Sequence, residues 1–289
     1  MKKTIATIAI IGAATGASAD FLSDLSISGT FDFETEYVYR ASKLADQSFQ
    51  PSVEFGYPVL GGDLYAGVWT NQPITPATTA ITVGGIPVGT ARAGIGNEID
   101  FYAGYAYPVT DIFTVDLGAT YYWYPESAGA GAINHTTEVY FGVSADVLLS
   151  PAVYFYYDFD LKQTLVELSI GYSLDLGEYL GAEGLSIDTG AYFGLLNTGD
   201  TSGGSATNFI LNPPVAGLTA PVDNSNGYTY GGVTGDLVYA FSENVSGSIG
   251  VRWSINNDGD SGTLAGNGPA NFFGSASQVW FGSTLGFSY

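Results

Sequence analysis

Residues Leu25–Arg40 (LSISGTFDFETEYVYR) alternate without a break. One set of positions carries Leu25, Ile27, Gly29, Phe31, Phe33, Thr35, Tyr37 and Tyr39, and the other Ser26, Ser28, Thr30, Asp32, Glu34, Glu36, Val38 and Arg40. Successive side chains of a strand point to opposite faces, so this segment predicts a strand with an aromatic face and a charged one. A tilted strand of roughly 9–11 residues crosses a bilayer. The pattern recurs in Gln50–Val59, Leu64–Asn71, Asn97–Tyr107, Ile112–Tyr124, Thr136–Ala145, Ala152–Asp160, Thr164–Leu174, Leu185–Leu196, Tyr228–Phe241, Val245–Ile255 and Gln278–Tyr289. That makes about twelve strands. Connections after even strands are mostly short and those after odd strands mostly long, including a Thr/Ala/Gly-rich loop Pro73–Gly96 and the loop Asn197–Asn226. Short periplasmic turns and long extracellular loops are the asymmetry of an outer-membrane barrel. The short Lys162-Gln163 connection and the longer Asp175–Gly184 one depart from it.

Phasing each strand by its apolar residues places its charges on the opposite face. Ile99, Phe101, Ala103, Tyr105 and Tyr107 oppose Glu98 and Asp100; Val153, Phe155, Tyr157 and Phe159 oppose Asp158 and Asp160. Tyr37, Tyr39, Tyr105, Tyr107, Tyr121 and Trp123 end the apolar faces, as rings with one apolar and one wet end do at a membrane interface. A soluble sandwich would also segregate charge, but it would pack Val, Ile and Leu against a second sheet. The fold class read from these patterns is all-β, a transmembrane antiparallel β-barrel.

Composition points the same way. Charged residues make up 12% of the 289 residues and aromatics 15%, with mean hydropathy +0.17; soluble chains carry about a quarter charged residues. Lys2 and Lys3, the apolar stretch Thr4–Ala14 and Ala17-Ser18-Ala19 read as a signal peptide over residues 1–19, with the mature barrel starting at Asp20. All 28 acids follow residue 19 while two of the seven basic residues precede it, leaving five against 28 and a formal charge of −23. Nucleic acid, which is held by Lys and Arg, is excluded as a partner. The partners expected are outer-membrane lipid and small hydrophilic solutes or cations. With zero Cys there is no disulfide framework. The last residue, Tyr289, lies inside a strand, which resembles the C-terminal recognition strand of bacterial outer-membrane barrels.

Two blocks carry a family resemblance. TEYVYRASKLADQSFQPSVEFGYPVLGGDLYAGVW (Thr35–Trp69) and NEIDFYAGYAYPVTDIFTVDLGATYYWYP (Asn97–Pro125) are similar to the TorF-type porin family, also known as Gcw_chp. TEVYFGVS and VYFYYDFD are weaker echoes, and the resemblance spans about residues 25–175. One departure is Ala41 after Arg40, where the resembling proteins often place Gly. The resemblance implies an outer-membrane porin-like barrel and carries over no catalytic residue.

The lumen is then the functional surface. By this phasing it holds Asp32, Glu34, Glu36, Glu54, Glu98, Asp100, Asp116, Glu138, Asp158, Asp160, Glu167, Asp188 and Asp236, against Arg40 and Arg252. Carboxylate rings in a low-dielectric wall favour cations, so the sequence predicts a passive, cation-preferring diffusion channel. A plugged barrel, with acids paired to Arg40 and Arg252, is the bland alternative. The sole His, His135, is followed by Thr136-Thr137 rather than a Ser nucleophile and reads as a loop residue. NNDGDSG (Asn256–Gly262) resembles a calcium loop but lacks the distal Glu and reads as a turn. No enzyme, cofactor or metal site is expected. The assignment of faces has a direct check: a photoreactive label dissolved in the bilayer core should tag Phe101 and Phe155, and tagging of Glu98 or Asp158 instead would invert it.

Overall fold

The computed structural model describes residues 24–74, 78–83, 86–92, 96–126, 134–198, 227–257 and 276–289, with 78–83 and 86–92 described as backbone. The leader, Asp20 and most of the loops expected at 197–226 and 256–277 lie outside these residues. In chain order the strands are β1 (Ser26–Glu34), β2 (Tyr37–Tyr39), β3 (Ser42–Ala45), β4 (Ser48–Val59), β5 (Gly62–Pro73), β6 (Thr78–Val83), β7 (Ile86–Arg92) and β8 (Glu98–Pro108). They continue with β9 (Phe113–Trp123), β10 (His135–Ala145), β11 (Ala152–Asp158), β12 (Gln163–Asp175), β13 (Leu185–Thr198), β14 (Gly227–Ala240), β15 (Val245–Asn256) and β16 (Ser277–Ser288). One turn of helix, α1 (Gly177–Leu180), occupies the long connection between β12 and β13.

Twelve of the strands close an antiparallel barrel in the order β1, β16, β15, β14, β13, β12, β11, β10, β9, β8, β5, β4. Closure is made by the chain ends. Ser28 pairs with Ser288 and Glu34 with Gly282, and Tyr289 and Ile27 exchange backbone hydrogen bonds of 2.8 and 2.9 Å. A closed ladder leaves no unpaired strand edge, the condition for a sheet in a solvent without hydrogen-bond partners.

The barrel is apolar outside. Phe31, Phe101, Phe141, Phe155, Leu168 and Ile249 are each 45–64% exposed, and they sit on six different strands around the barrel. Such a girdle far exceeds the exposed apolar patch of a water-soluble monomer; acyl chains are the solvent that fits it. No helix among the described residues is long and apolar enough to cross a membrane. The buried residues inside are largely polar or phenolic, among them Asp100, Asn71, Glu98 and Tyr230.

Three expectations are corrected. The first strand ends at Glu34 rather than Arg40. The chain then leaves the wall as the β2–β3 hairpin, so Tyr37 is 4% exposed and inside the barrel instead of in an outer aromatic belt. Alternation alone does not distinguish a strand in the wall from one folded within it. Second, β11 stops at Asp158, and Asp160 is exposed in the turn before β12. Asp158 itself ends the strand by accepting the backbone N–H groups of Asp160 (2.9 Å) and Leu161 (2.7 Å). Third, the loop at 73–96 contains the paired strands β6 and β7. Its Thr/Ile/Val runs flank Gly84-Gly85, a two-residue hairpin signal.

Six of the 40 glycines have a clear spatial role in the wall. Tyr65 and Tyr102 on adjoining strands face Gly104 and Gly67 directly across the ladder. Tyr140 faces Gly118, Tyr154 faces Gly142, and Tyr192 and Tyr230 face Gly232 and Gly194. A Cβ at any of these six glycines would collide with the opposing ring, so each phenol lies along the wall over a glycine. Adding that methyl overpacks the site by about 1–3 kcal/mol. Gly142→Ala should therefore lower the thermal stability of the detergent-folded barrel. Gly171→Ala, whose Cβ would find its nearest neighbour 3.6 Å away, should leave it unchanged.

Candidate functional site

The lumen is divided by the β2–β3 hairpin, which crosses it at the end bearing the long connections. Its turn residues Arg40 and Ala41 have φ of 51° and 55°. Two successive left-handed residues match the hairpin turn whose twist suits the flanking strands. Gly occupies that region without steric cost, which accounts for the Gly that the resembling proteins place after the Arg. The strain in this chain is held by contacts with the far wall. Tyr228 donates its hydroxyl to the Arg40 carbonyl (3.1 Å), and Asn256 Nδ2 donates to the Ala41 carbonyl (2.7 Å).

Both sides of the hairpin are packed. Tyr37, Leu44 and Ala45 form one apolar cluster with Tyr122 and Tyr124, edged by Tyr39 and Trp69. Ala41 forms another with Leu165, Tyr192, Leu196, Tyr228 and Tyr230. Near its outer end, Lys43 bridges Glu36 and Asp46, each at 2.8 Å.

Arg40 is the electrostatic centre of this contact. Its Nη2 donates to Glu138 Oε1 and Oε2 at 2.9 and 2.7 Å, and Tyr122 donates to the same carboxylate at 2.8 Å. The guanidinium carbon lies 4.6 Å from the Tyr39 ring centroid and 5.3 Å from that of Tyr156. Burial alone would disfavour the charge; the Glu138 carboxylate outweighs it and holds the Arg40 pKa above its ordinary value. Tyr37 donates to Glu98 Oε2 at 2.8 Å, and burial, with Glu98 and Asp100 beside it, pushes that phenol well up.

The expected lumenal charges fall into four groups. Asp32, Glu34, Glu98, Asp100, Glu138, Asp158, Asp236 and Arg252 are buried on the inner wall. Glu54, Asp116, Glu167 and Asp188 are half-buried on inward positions. Arg40 and Glu36 belong to the hairpin segment rather than the wall, and Asp160 lies outside the lumen. Arg252 is clamped between Asp236 (2.8 Å) and Glu34 (3.4 Å). It lines a cavity of about 60 Å³ between the wall and the hairpin, together with Gln50, Tyr192 and Trp280. Toward the end with the short turns, Asp116 accepts from Tyr65 (2.7 Å) and Tyr154 (3.0 Å), and Glu54 lies beside Tyr102. These inward tyrosines escape a reading based on charge alone, because only the strand register shows each facing a glycine. His135 is exposed, stacked on Tyr121 with ring centroids 5.5 Å apart. No group of three or more His, Cys, Asp or Glu suited to a metal occurs among the described residues.

A closed antiparallel barrel with an apolar exterior and a charged interior defines the outer-membrane class of β-barrel. Residues 18–202 match the family described as "Bacterial protein of unknown function (Gcw_chp)", and the chain belongs to that family. Similar solved structures include the NanC porin, at 10% identity and a TM-score of 0.44, covering 92% of this chain and 98% of that one. The COG4313 outer membrane channel from Pseudomonas putida F1 has 7% identity and a TM-score of 0.49, covering 92% and 95%. LpxR from Salmonella typhimurium has 9% identity and a TM-score of 0.46, covering 91% and 99%. Comparison with curated proteins found no match.

The hairpin's tie to the wall is open to test. Removing one partner of a buried ion pair costs about 3–5 kcal/mol, because the other charge is left uncompensated. Glu138→Ala should free the hairpin, so that trypsin cuts the folded barrel after Arg40 and Lys43, while the wild-type chain stays intact there. Measurement is by mass spectrometry of the digested, detergent-folded protein.

Proposed function

We propose that this chain is an outer-membrane channel for the passive diffusion of small hydrophilic solutes, with a preference for cations, and that it is a porin of the TorF type. On this reading the leader 1–19 exports it and Asp20 begins the mature protein. The observation that carries the proposal is the inside-out distribution of polarity. Twelve carboxylates from the inward positions and the hairpin segment stand inside the barrel against three cations, Arg40, Lys43 and Arg252. An enclosed field of that sign concentrates cations and repels anions. Among the described residues, His135 is exposed at the rim of the barrel beside Asn134 and Tyr121, and the role proposed is not enzymatic. The chemistry it requires is a path, a charge and a water-filled cross-section.

A second reading, a barrel that conducts nothing and serves structure or adhesion, has one observation in its favour: the packed hairpin crosses the lumen. Planar-bilayer recording separates the two. The channel reading expects discrete conductance steps from the purified protein. Under a KCl gradient it expects a reversal potential of the sign set by K⁺ moving down its gradient. Selectivity for Cl⁻ would remove the cation preference. A bilayer silent with both the wild-type chain and one lacking residues 37–45 would remove the channel.

A further inference from the structure

On the periplasmic side of the hairpin, four tyrosines from four strands form a continuous lining. Tyr102 lies over Gly67, Tyr65 over Gly104, Tyr140 over Gly118 and Tyr154 over Gly142. Their rings are in series: Tyr65 and Tyr102 have centroids 6.5 Å apart, Tyr65 and Tyr140 share a hydroxyl hydrogen bond of 2.5 Å, and Tyr140 and Tyr154 have centroids 6.2 Å apart. All four are half-buried, so each retains surface toward the lumen. The hydroxyls of Tyr65, Tyr140 and Tyr154 are committed to one another or to a carboxylate. Tyr65 and Tyr154 donate to the two oxygens of Asp116, and Tyr102 lies beside the Glu54 carboxylate. What the lining offers a visitor is aromatic face together with negative charge. Among the described residues, no Lys or Arg pairs with Glu54 or Asp116.

The protein shows beside this lining what such a surface holds. Arg40 lies over the rings of Tyr39 and Tyr156 and is paired with the Glu138 carboxylate. Tyr156 continues the same row, 5.9 Å from both Tyr140 and Tyr154. Thus a weakly hydrated, flat cation over tyrosine faces, neutralised by one carboxylate, already occupies the upper end. The lower end repeats the faces and the carboxylates and lacks the cation.

We propose that the Tyr65–Tyr102–Tyr140–Tyr154 wall is a binding site for organic ammonium solutes, whose alkyl-clad cation is held over the rings with Asp116 and Glu54 as counter-charges. The attraction of a cation to a tyrosine face grows as water is excluded, and a phenol that donates to a carboxylate presents a more electron-rich ring. A neutral polyol would gain the stacking and lose the charge term, and its hydroxyls would compete for carboxylate oxygens that tyrosines already hold. An anion meets Asp116 and Glu54 directly. The site deepens the channel reading, on which it rests only for the route by which a solute arrives.

The probe is choline, compared with its uncharged carbon isostere 3,3-dimethylbutanol and with glucose. Two readouts are taken on the folded full barrel: calorimetric titration in detergent, and blockade of KCl current in planar bilayers. Choline should bind and block, and the isostere should do so at least tenfold more weakly. Asp116→Asn, which keeps the shape of the tyrosine anchor, should weaken choline about tenfold. Tyr140→Leu should weaken it further, with Tyr140→Phe restoring much of the loss because the face is retained. Equal binding of choline and its isostere, tighter binding of glucose, or a choline affinity untouched by both Asp116→Asn and Tyr140→Leu overturns the site. Choline binding in the calorimeter with a silent bilayer keeps the site and defeats the channel; conductance without choline binding does the reverse.

Discussion

A strand in a bilayer has no solvent with which to hydrogen-bond, and this constraint organises the rest of the molecule. It forces the ladder to close, and closure is made where β1 meets β16 through seven paired positions. Once the sheet is a ring, period-two alternation becomes an inside and an outside. Phe31 and Phe33 go to lipid, and Asp32 and Glu34, their immediate neighbours, to the interior. Every inward acid is therefore a consequence of the same geometry that exposes the aromatic rings.

A ring of twelve strands encloses more space than side chains on the wall fill unaided. This chain fills it in two ways. At the end with long connections, the backbone between Glu34 and Ser48 turns inward and packs apolar side chains against both walls. The strained turn at Arg40-Ala41 persists because an ion pair, two hydrogen bonds and two aromatic faces hold it. Toward the other end, Tyr65, Tyr102, Tyr140 and Tyr154 lie over glycines and line the lumen. The contrast between a packed upper half and a panelled lower half gives the interior its polarity along the axis.

The charge distribution follows that division. In the upper half the two guanidinium groups are each held by carboxylates: Arg40 by Glu138, and Arg252 by Asp236 and Glu34. In the lower half the Asp116 carboxylate is held by phenols, which stabilise its geometry without cancelling its charge. Carboxylates therefore stand in both halves, while the guanidinium groups stand only in the half that holds the hairpin.

The wall was legible in the sequence because lipid and water on opposite faces impose a strict two-residue period on each strand. Twelve barrel segments, their facing and the alternation of short and long connections all follow from it, with Glu34–Tyr37 and Asp158–Asp160 places where it misleads. Tyr37 and Tyr39 continue the alternation because a hairpin inside the barrel is also a strand pair with two unlike faces. Which of its faces meets which wall depends on Glu138 and Tyr228, 98 and 188 residues away from Arg40. The tyrosine lining was hidden for the same reason. Tyr140 and Gly118 are visible in the sequence as single residues, but that one covers the other depends on register between β10 and β9. Period and polarity are local properties that a chain carries with it, whereas pairing across strands and across the lumen is set only when the ring closes and fixes which distant residues are opposite.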